Sequence, residues 1–476
     1  MSSSPRLTAG LILLASCLLL PATQAPAIDN PAAPPRPKLH KCDIGANKPF
    51  RCGRVMVPAV RGLPKLGKQK IGFAIRPRGD RSRPSKGTFV FVEGGPGYAA
   101  TNSDSIKPFG AVFAPFLKRH DVVAIDQRGT GLSNPLNCKQ LQRGRVPQQK
   151  ALKACARKLG PRYQGYTTAD SAADIEAVRR ALRLPKRKVI FYGDSYGTYL
   201  GQSYAARYGK GLKGLILSSA YPVSGESAFW PSLYPAARKA VRLSCRRDPE
   251  CSGKAFGRLK RVILRSGPKS GFVSNILGYL MGTAPSYSPN GYRNLNTAVS
   301  AWLRGSRKEL HELVDPGGPG SGPPGYFSEG MYEAVICNDY PTPWNQRSAI
   351  PERRKQFARA IRDFRPKDFW APIPRGTWMK DPASDIDNCI TWPGPTPRIK
   401  PPIPAGKKMP GRLDTLVLAG EFDAITTVKE ARMVNRRFPR GRLYVVPNRG
   451  HASELYYPFT SPATGRIRHF VRNLIR

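Results

Sequence analysis

Val189-Ile190-Phe191-Tyr192-Gly193-Asp194-Ser195-Tyr196-Gly197-Thr198 is the stretch that decides the fold. Its first four residues are β-branched and aromatic, the pattern of a buried strand. They run into a serine held between two glycines, and a helix-compatible stretch, Thr198 to Arg207, follows. A strand-to-helix turn this tight needs flanking residues without bulk, and it strains the backbone of the serine. The strain lifts the hydroxyl above the sheet, where a base and a substrate reach it. A nucleophile elbow of this kind predicts three further parts: an oxyanion loop upstream, then an acid and a histidine downstream.

Outward from the elbow, apolar β-branched runs recur at Lys86 to Val92, Val122 to Ile125, Leu215 to Leu217, Thr415 to Leu418 and Leu443 to Val446. Helical patterns separate them. One opens at the capping box Ser171-Ala172-Ala173-Asp174 and carries Ile175, Val178 and Leu182 on one face. Strands alternating with helices imply an α/β fold, a mostly parallel sheet with helices on both faces. The rhythm breaks near Tyr221 and returns near Pro410. The chain therefore reads as 1-27 signal peptide, 28-59 N-terminal tether and disulfide segment, 60-220 first part of the core, 221-410 inserted lid with a helical patch Glu352 to Phe364, and 411-476 C-terminal part of the core. Asp315 to Gly325, rich in Pro and Gly, is expected to be a mobile loop within the lid.

Five histidines are available to activate Ser195: His40, His120, His311, His451 and His469. Only His451 follows a predicted strand through a short turn, which puts it at the sheet edge where the elbow lies. Neutral imidazole there serves as base and then as acid. The orienting acid belongs at the end of the preceding strand. Asp423 is expected to fill that role. Glu421, two residues earlier, is its rival, and position alone does not separate them. The order Ser195, Asp423, His451 is one of the known chain orders of a serine triad. Gly94-Gly95-Pro96-Gly97 follows a strand and supplies the upstream loop. Backbone N–H groups of Gly94, Gly95 and Tyr196 are the expected oxyanion donors. Gly317-Gly318-Pro319-Gly320 is the same tetrapeptide with no strand before it and reads as linker.

The chain has 476 residues and a formal charge of +47, from 78 basic and 31 acidic residues. The basic residues are scattered and accompany no nucleic-acid motif, so no specific nucleic-acid partner is expected. Non-specific contact with an anionic cell-wall or membrane surface is compatible with the charge. Arg6, the apolar run Leu7 to Leu20 and Ala25-Pro26-Ala27 have the form of a secretory signal. Leu14-Ala15-Ser16-Cys17 leaves lipid anchoring through Cys17 open. Without Cys17, eight cysteines remain, an even number that favours disulfides in an exported protein. Sequence does not determine their pairing; short loops suggest Cys42–Cys52, Cys138–Cys155 and Cys245–Cys251, which leaves Cys337–Cys389. No cysteine pair has zinc-site spacing with nearby histidines, and no metal or cofactor is expected.

The runs Gly94 to Gly97, Asp126-Gln127-Arg128-Gly129-Thr130-Gly131-Leu132-Ser133, Gly193 to Thr198, and Gly420 to Asp423 with Gly450-His451 resemble the prolyl aminopeptidase and tripeptidyl aminopeptidase branch of the α/β-hydrolases. In the lid the resemblance rests mainly on Glu333-Ala334-Val335-Ile336-Cys337-Asn338-Asp339. It implies an α/β-hydrolase fold and a secreted exopeptidase acting on peptides with a free N-terminus. Asp194 departs from the pattern, since many relatives carry glycine there. An aminopeptidase must also hold the substrate's α-ammonium, for which Glu333 and Asp339 are candidates and Glu329 a weaker third. An esterase with the same triad would need no such pocket.

Overall fold

The computed structural model describes residues 35–45, 50–251, 253–287, 290–315, 322–364, 382–396 and 399–476. The expected signal peptide, Cys17 and most of the loop around Gly317 to Gly320 lie outside them. Nine strands are formed: β1 (His40–Cys42), β2 (Phe50–Pro58), β3 (Lys68–Arg76), β4 (Gly87–Val92), β5 (His120–Ile125), β6 (Val189–Asp194), β7 (Leu212–Ser218), β8 (Asp414–Gly420) and β9 (Gly441–Val446). They make one sheet in the order β1-β2-β3-β5-β4-β6-β7-β8-β9. From β5 to β9 every neighbouring pair is parallel, while β1, β2 and β3 join antiparallel at one end.

The elbow strand shows why a continuous apolar run was needed. Successive side chains point to opposite faces, and both faces are covered. Val189 and Phe191 pack with Ile175, Val178, Leu200 and Val434, which come from the helices Thr168–Ala181, Tyr196–Tyr208 and Val428–Asn435. Ile190 and Tyr192 pack on the other side with Phe109, Phe113, Ile467 and Phe470, from the helices Ser103–Phe113 and Pro462–Ile475. Full burial of each such side chain stabilises the fold by about 1.5–3 kcal/mol.

Between β7 and β8 the chain leaves the sheet and folds as helices with a core of their own. Leu233, Val262, Ile276, Leu295 and Leu310 meet there, drawn from Leu233–Arg246, Ala255–Arg265, Gly271–Met281, Gly291–Leu303 and Lys308–Val314. Four disulfides form: Cys42–Cys52, Cys138–Cys155, Cys245–Cys251 and Cys337–Cys389. Among the described residues no helix is long and apolar enough to cross a membrane.

Two expectations need correcting. Residues 40–42 and 50–58 are strands, not tether. β2 pairs along its length with β3, and β1 pairs with β2 in the register His40↔Cys52 and Cys42↔Phe50, stapled by the Cys42–Cys52 bond. Val55 and Val57 are buried in the sheet core, and that burial recruits the segment. The helix expected to start at Ser171 starts at Thr168 instead. Thr167 caps it, its hydroxyl accepting from the Asp170 N–H, while the Asp170 carboxylate accepts from the Thr167 hydroxyl at 3.0 Å. Thr167-Thr168-Ala169-Asp170 is thus the working cap, and Ser171 lies buried inside the helix.

Candidate active site

Ser195 sits between β6 and the helix Tyr196–Tyr208 with φ 48° and ψ −121°, a conformation that costs a non-glycine residue about 1–3 kcal/mol. Its surroundings hold it there. Its N–H donates to the Ser218 carbonyl at 2.9 Å, and its own carbonyl accepts from the Thr198 N–H at 2.9 Å and hydroxyl at 2.7 Å. The turn is closed so tightly that a Cβ on Gly193 would lie 2.3 Å from the Gly197 carbonyl oxygen. Ser195 is half-buried, at the edge where β4, β6, β8 and β9 end.

His451 and Asp423 reach the same edge from the loops after β9 and β8. His451 Nδ1 and Asp423 Oδ2 are 2.9 Å apart, and both side chains are almost wholly buried. Asp423 is itself fixed: Oδ1 accepts from the N–H groups of Ile425 and Thr426, and Oδ2 from the Thr426 hydroxyl. Burial alone would keep the imidazole neutral, yet Asp423 with Asp194 and Glu454 outweighs it and raises the ring above its ordinary pKa. For Asp423, burial pushes up and the His451 pairing pulls further down, so the carboxylate is held below its usual range. Glu421 is engaged elsewhere. It takes a two-pronged ion pair from Arg247, at 2.7 and 3.1 Å, and the Asn448 N–H.

The upstream loop lies against the elbow. A Cβ on Gly94 would fall 2.8 Å from Ser195 Cβ, so only glycine fits between them. The loop is held from both sides. The Gln127 amide donates to the Glu93 carbonyl at 2.8 Å. From the lid, Phe327 bridges to Tyr98, the Ser328 N–H donates to the Gly97 carbonyl, and the Asn102 amide to the Tyr326 carbonyl. The backbone N–H of Tyr196 opens the helix behind Ser195, where helical N–H groups have no partner within the helix.

The lid acids are placed differently from Ser195, His451 and Asp423. Glu333 is fully buried and accepts from the Gln148 amide, close to Cys337 and Cys389. Those three residues have metal-ligand spacing, but both sulfurs are committed to the disulfide. Asp339 accepts from the Thr168 N–H, and burial pushes its carboxyl up to about 7. Its charge reaches the phenols of Tyr196 and Tyr199. Between them Asn338 donates to the carbonyls of Tyr163 and Tyr166 and accepts from Trp392 Nε1. The family-like segment thus ties the lid to the core. Of the remaining histidines, His120 is buried on the Phe116 carbonyl, His311 stacks on Phe272, and His469 pairs with Asn473.

Sequence reasoning missed the lid's contribution to the histidine loop. The His451 N–H donates to the Ser286 carbonyl at 2.9 Å, and the Tyr287 ring lies 5.5 Å from the imidazole and stacks on Tyr456. It also missed Glu93 and Glu454, the latter accepting from Tyr192 at 2.6 Å. No spacing rule points to these residues, because each lies on a different element.

Known proteins were compared with the chain. The family described as alpha/beta hydrolase fold matches residues 87–253, and the family described as TAP-like protein matches residues 376–473. Tripeptidyl aminopeptidase of Streptomyces coelicolor is 26% identical over 451 residues, covering 84% of this chain and 77% of the relative. Serine protease Hip1 of Mycobacterium bovis is 24% identical over 427 residues, 79% of this chain and 77% of the relative. Proline iminopeptidase of Neisseria gonorrhoeae is 33% identical over 141 residues, 30% of this chain and 35% of the relative. The chain belongs to the α/β-hydrolases, in the branch of the prolyl and tripeptidyl aminopeptidases, and it is a serine hydrolase.

Proposed function

We propose that the protein is an exported exopeptidase that releases short N-terminal pieces from peptides through Ser195, His451 and Asp423. The observation that carries this reading is the buried 2.9 Å pairing of His451 Nδ1 with Asp423, at the sheet edge that also presents Ser195. Asp423 holds the imidazole with its proton on Nδ1, which leaves Nε2 free to act as a base. Nε2 takes the Ser195 hydroxyl proton as the oxygen attacks the scissile carbonyl. The charge that develops on the carbonyl oxygen is met by backbone N–H groups of Tyr196, Gly94 and Gly95. His451 returns the proton to the leaving amine, and an acyl-enzyme remains on Ser195. Water, deprotonated by the same imidazole, then releases the acid.

Export is supported by the four disulfides, which belong to an oxidising compartment. With it goes the proposal that the chain is freed by cleavage after Ala27 or tethered by lipid on Cys17. The positive charge suits contact with an anionic wall or membrane. A lid cleft of about 1220 Å³ lined by Arg238, Lys239, Arg242, Arg246, Lys254 and Lys260 concentrates it.

An aminopeptidase also needs an anionic pocket. Asp339, whose charge reaches Tyr196, is the better placed of the two lid candidates, and Glu329 acts on Tyr98 at the other side of the site. An esterase activity is the second reading. It is favoured by the internal hydrogen bonds that already engage Glu333 and Asp339. Free and N-acetylated tripeptidyl and aminoacyl chromogenic substrates, run beside short acyl esters, separate the two. The exopeptidase reading expects turnover of the free amines and little of the acetylated forms. Turnover of esters alone would replace it.

A further inference from the structure

At the edge that carries the site, β4 and β6 end side by side, with Val92 opposite Gly193 in the parallel register. The next residue on each strand is acidic, Glu93 on one and Asp194 on the other. Asp194 is buried and Glu93 half-buried, and Glu93 Oε2 and Asp194 Oδ1 are both shut off from solvent. Neither oxygen meets an N–H or O–H donor among the described residues. The two carboxyls, side by side at the ends of paired strands, lie within hydrogen-bonding reach of each other. Two carboxylates can form that bond only across a proton, because an ionised carboxylate is acceptor only. The Gly94 N–H and the Ser105 hydroxyl lie on the Glu93 side of the pair.

The position of the pair gives it a task. Glu93 immediately precedes the oxyanion loop, and Asp194 immediately precedes Ser195. The loop rests on the elbow with no room to spare, a Cβ on Gly94 lying 3.3 Å from Asp194 Oδ2. We propose that Glu93 and Asp194 hold one proton between them and that this shared proton latches the Gly94-Gly95 loop onto the Ser195 elbow. Both are positioning residues, and the proposal rests on Ser195 being the nucleophile. The pair then carries one negative charge beside His451, which favours the imidazolium formed as Ser195 attacks.

The surroundings fit one shared proton better than two charges. The charged groups that bear most on the pair are Asp126 after β5, Glu454 on the segment after the histidine loop, and His451; no lysine or arginine is among them. Facing phenols come from Tyr192 on β6, Tyr98, Tyr287 of the lid, and Tyr456. Burial raises both carboxyls above their ordinary range, aided by Asp126 at Glu93, which is pushed up to about 7, and by Glu93 and Glu454 at Asp194, so the pair gives up its proton as pH rises. On its loss to solvent base, two like charges face each other and the latch opens.

The test is the pH profile of acylation by p-nitrophenyl acetate, which has no titrating group of its own in the working range. The parent should lose activity on the alkaline side. In Glu93→Gln a side-chain amide replaces the shared proton and cannot ionise. It should keep activity within about threefold at neutral pH and move the alkaline fall up by more than about one pH unit. Asp194→Asn makes the same exchange from the other side and serves as the second variant. Glu93→Ala, with no donor, should lose at least roughly tenfold at neutral pH, part of what a lost oxyanion donor costs. An unmoved alkaline limb in both amide variants, or a Glu93→Ala variant equal to the parent, overturns the latch. Fluorophosphonate labelling is run on every variant. A parent not labelled at Ser195 overturns the nucleophile assignment and the latch together, whereas labelling with unmoved limbs overturns the latch alone.

Discussion

At the residue scale, the choice between Asp423 and Glu421 turns on what each carboxylate touches. Asp423 faces the imidazole inside the protein; Glu421 faces Arg247 at the surface. Asp423→Asn should lower kcat by roughly 10⁴-fold, because the imidazole loses the acceptor that selects its tautomer. Glu421→Gln should leave kcat within about threefold, as expected for a partly exposed ion pair. The pH profile gives a second readout. In the proposed reaction His451 must be neutral to accept the serine proton, and its pKa is raised by Asp423, Asp194 and Glu454 against the pull of burial. Activity should therefore fall as pH drops through a value above the ordinary histidine range of about 6.5. Asp423→Asn should move that limb to lower pH. A limb that stays in place would mean that Asp423 does not set the charge on the ring.

At the element scale, the site is an edge assembled from the ends of β4, β6, β8 and β9, and its parts differed in how plainly the sequence announced them. β4, β6 and β8 were legible because buried parallel strands are continuous apolar runs, and the half-buried edge strand β9 keeps such a run from Leu443 to Val446. Ser195 and His451 were legible because each follows such a run after a short turn. The antiparallel strands β1 and β2 were not. His40 to Cys42 is short and half exposed, and Phe50 to Pro58 alternates buried and exposed residues among arginines, so both read as tether. The role of Ser286 and Tyr287 was invisible, because a lid segment distant in sequence meets His451 only after folding. Arg128 shows what the Asp126 to Ser133 run does. Its guanidinium is fully buried, holds Asp174 with two bonds of 2.8 Å, and donates to the carbonyls of Ala59 and Gly165. It thereby joins the β5 loop to the helix Thr168–Ala181, and Gln127 beside it braces the oxyanion strand. Arg128→Ala should destabilise the fold by about 3 kcal/mol, the lower end for breaking a buried pair, because Arg61 still holds Asp174. A denaturant titration measures this; an unchanged midpoint would remove Arg128 from the framework.

At the scale of the whole molecule, a parallel sheet supplies the edge, and the insertion between β7 and β8 supplies a wall and part of the bracing. The Cys337–Cys389 bond closes a loop of 52 residues and fixes the lid helix Glu329–Asp339. That helix is tied in turn to the core through Asn338 and Asp339. The chain's net charge is +47, yet the charged groups that bear most on His451 are the carboxyls of Asp423, Asp194 and Glu454. Acyl transfer at Ser195 is the central claim on which substrate choice, pH dependence and the Glu93–Asp194 latch depend. Its most direct measurement is labelling of the purified protein with a fluorophosphonate, followed by peptide mapping of the adduct, in the parent and in Ser195→Ala. One adduct per chain on the peptide containing Ser195, absent from the variant together with turnover, is the expected result. An adduct on another residue, or undiminished turnover in Ser195→Ala, would contradict it.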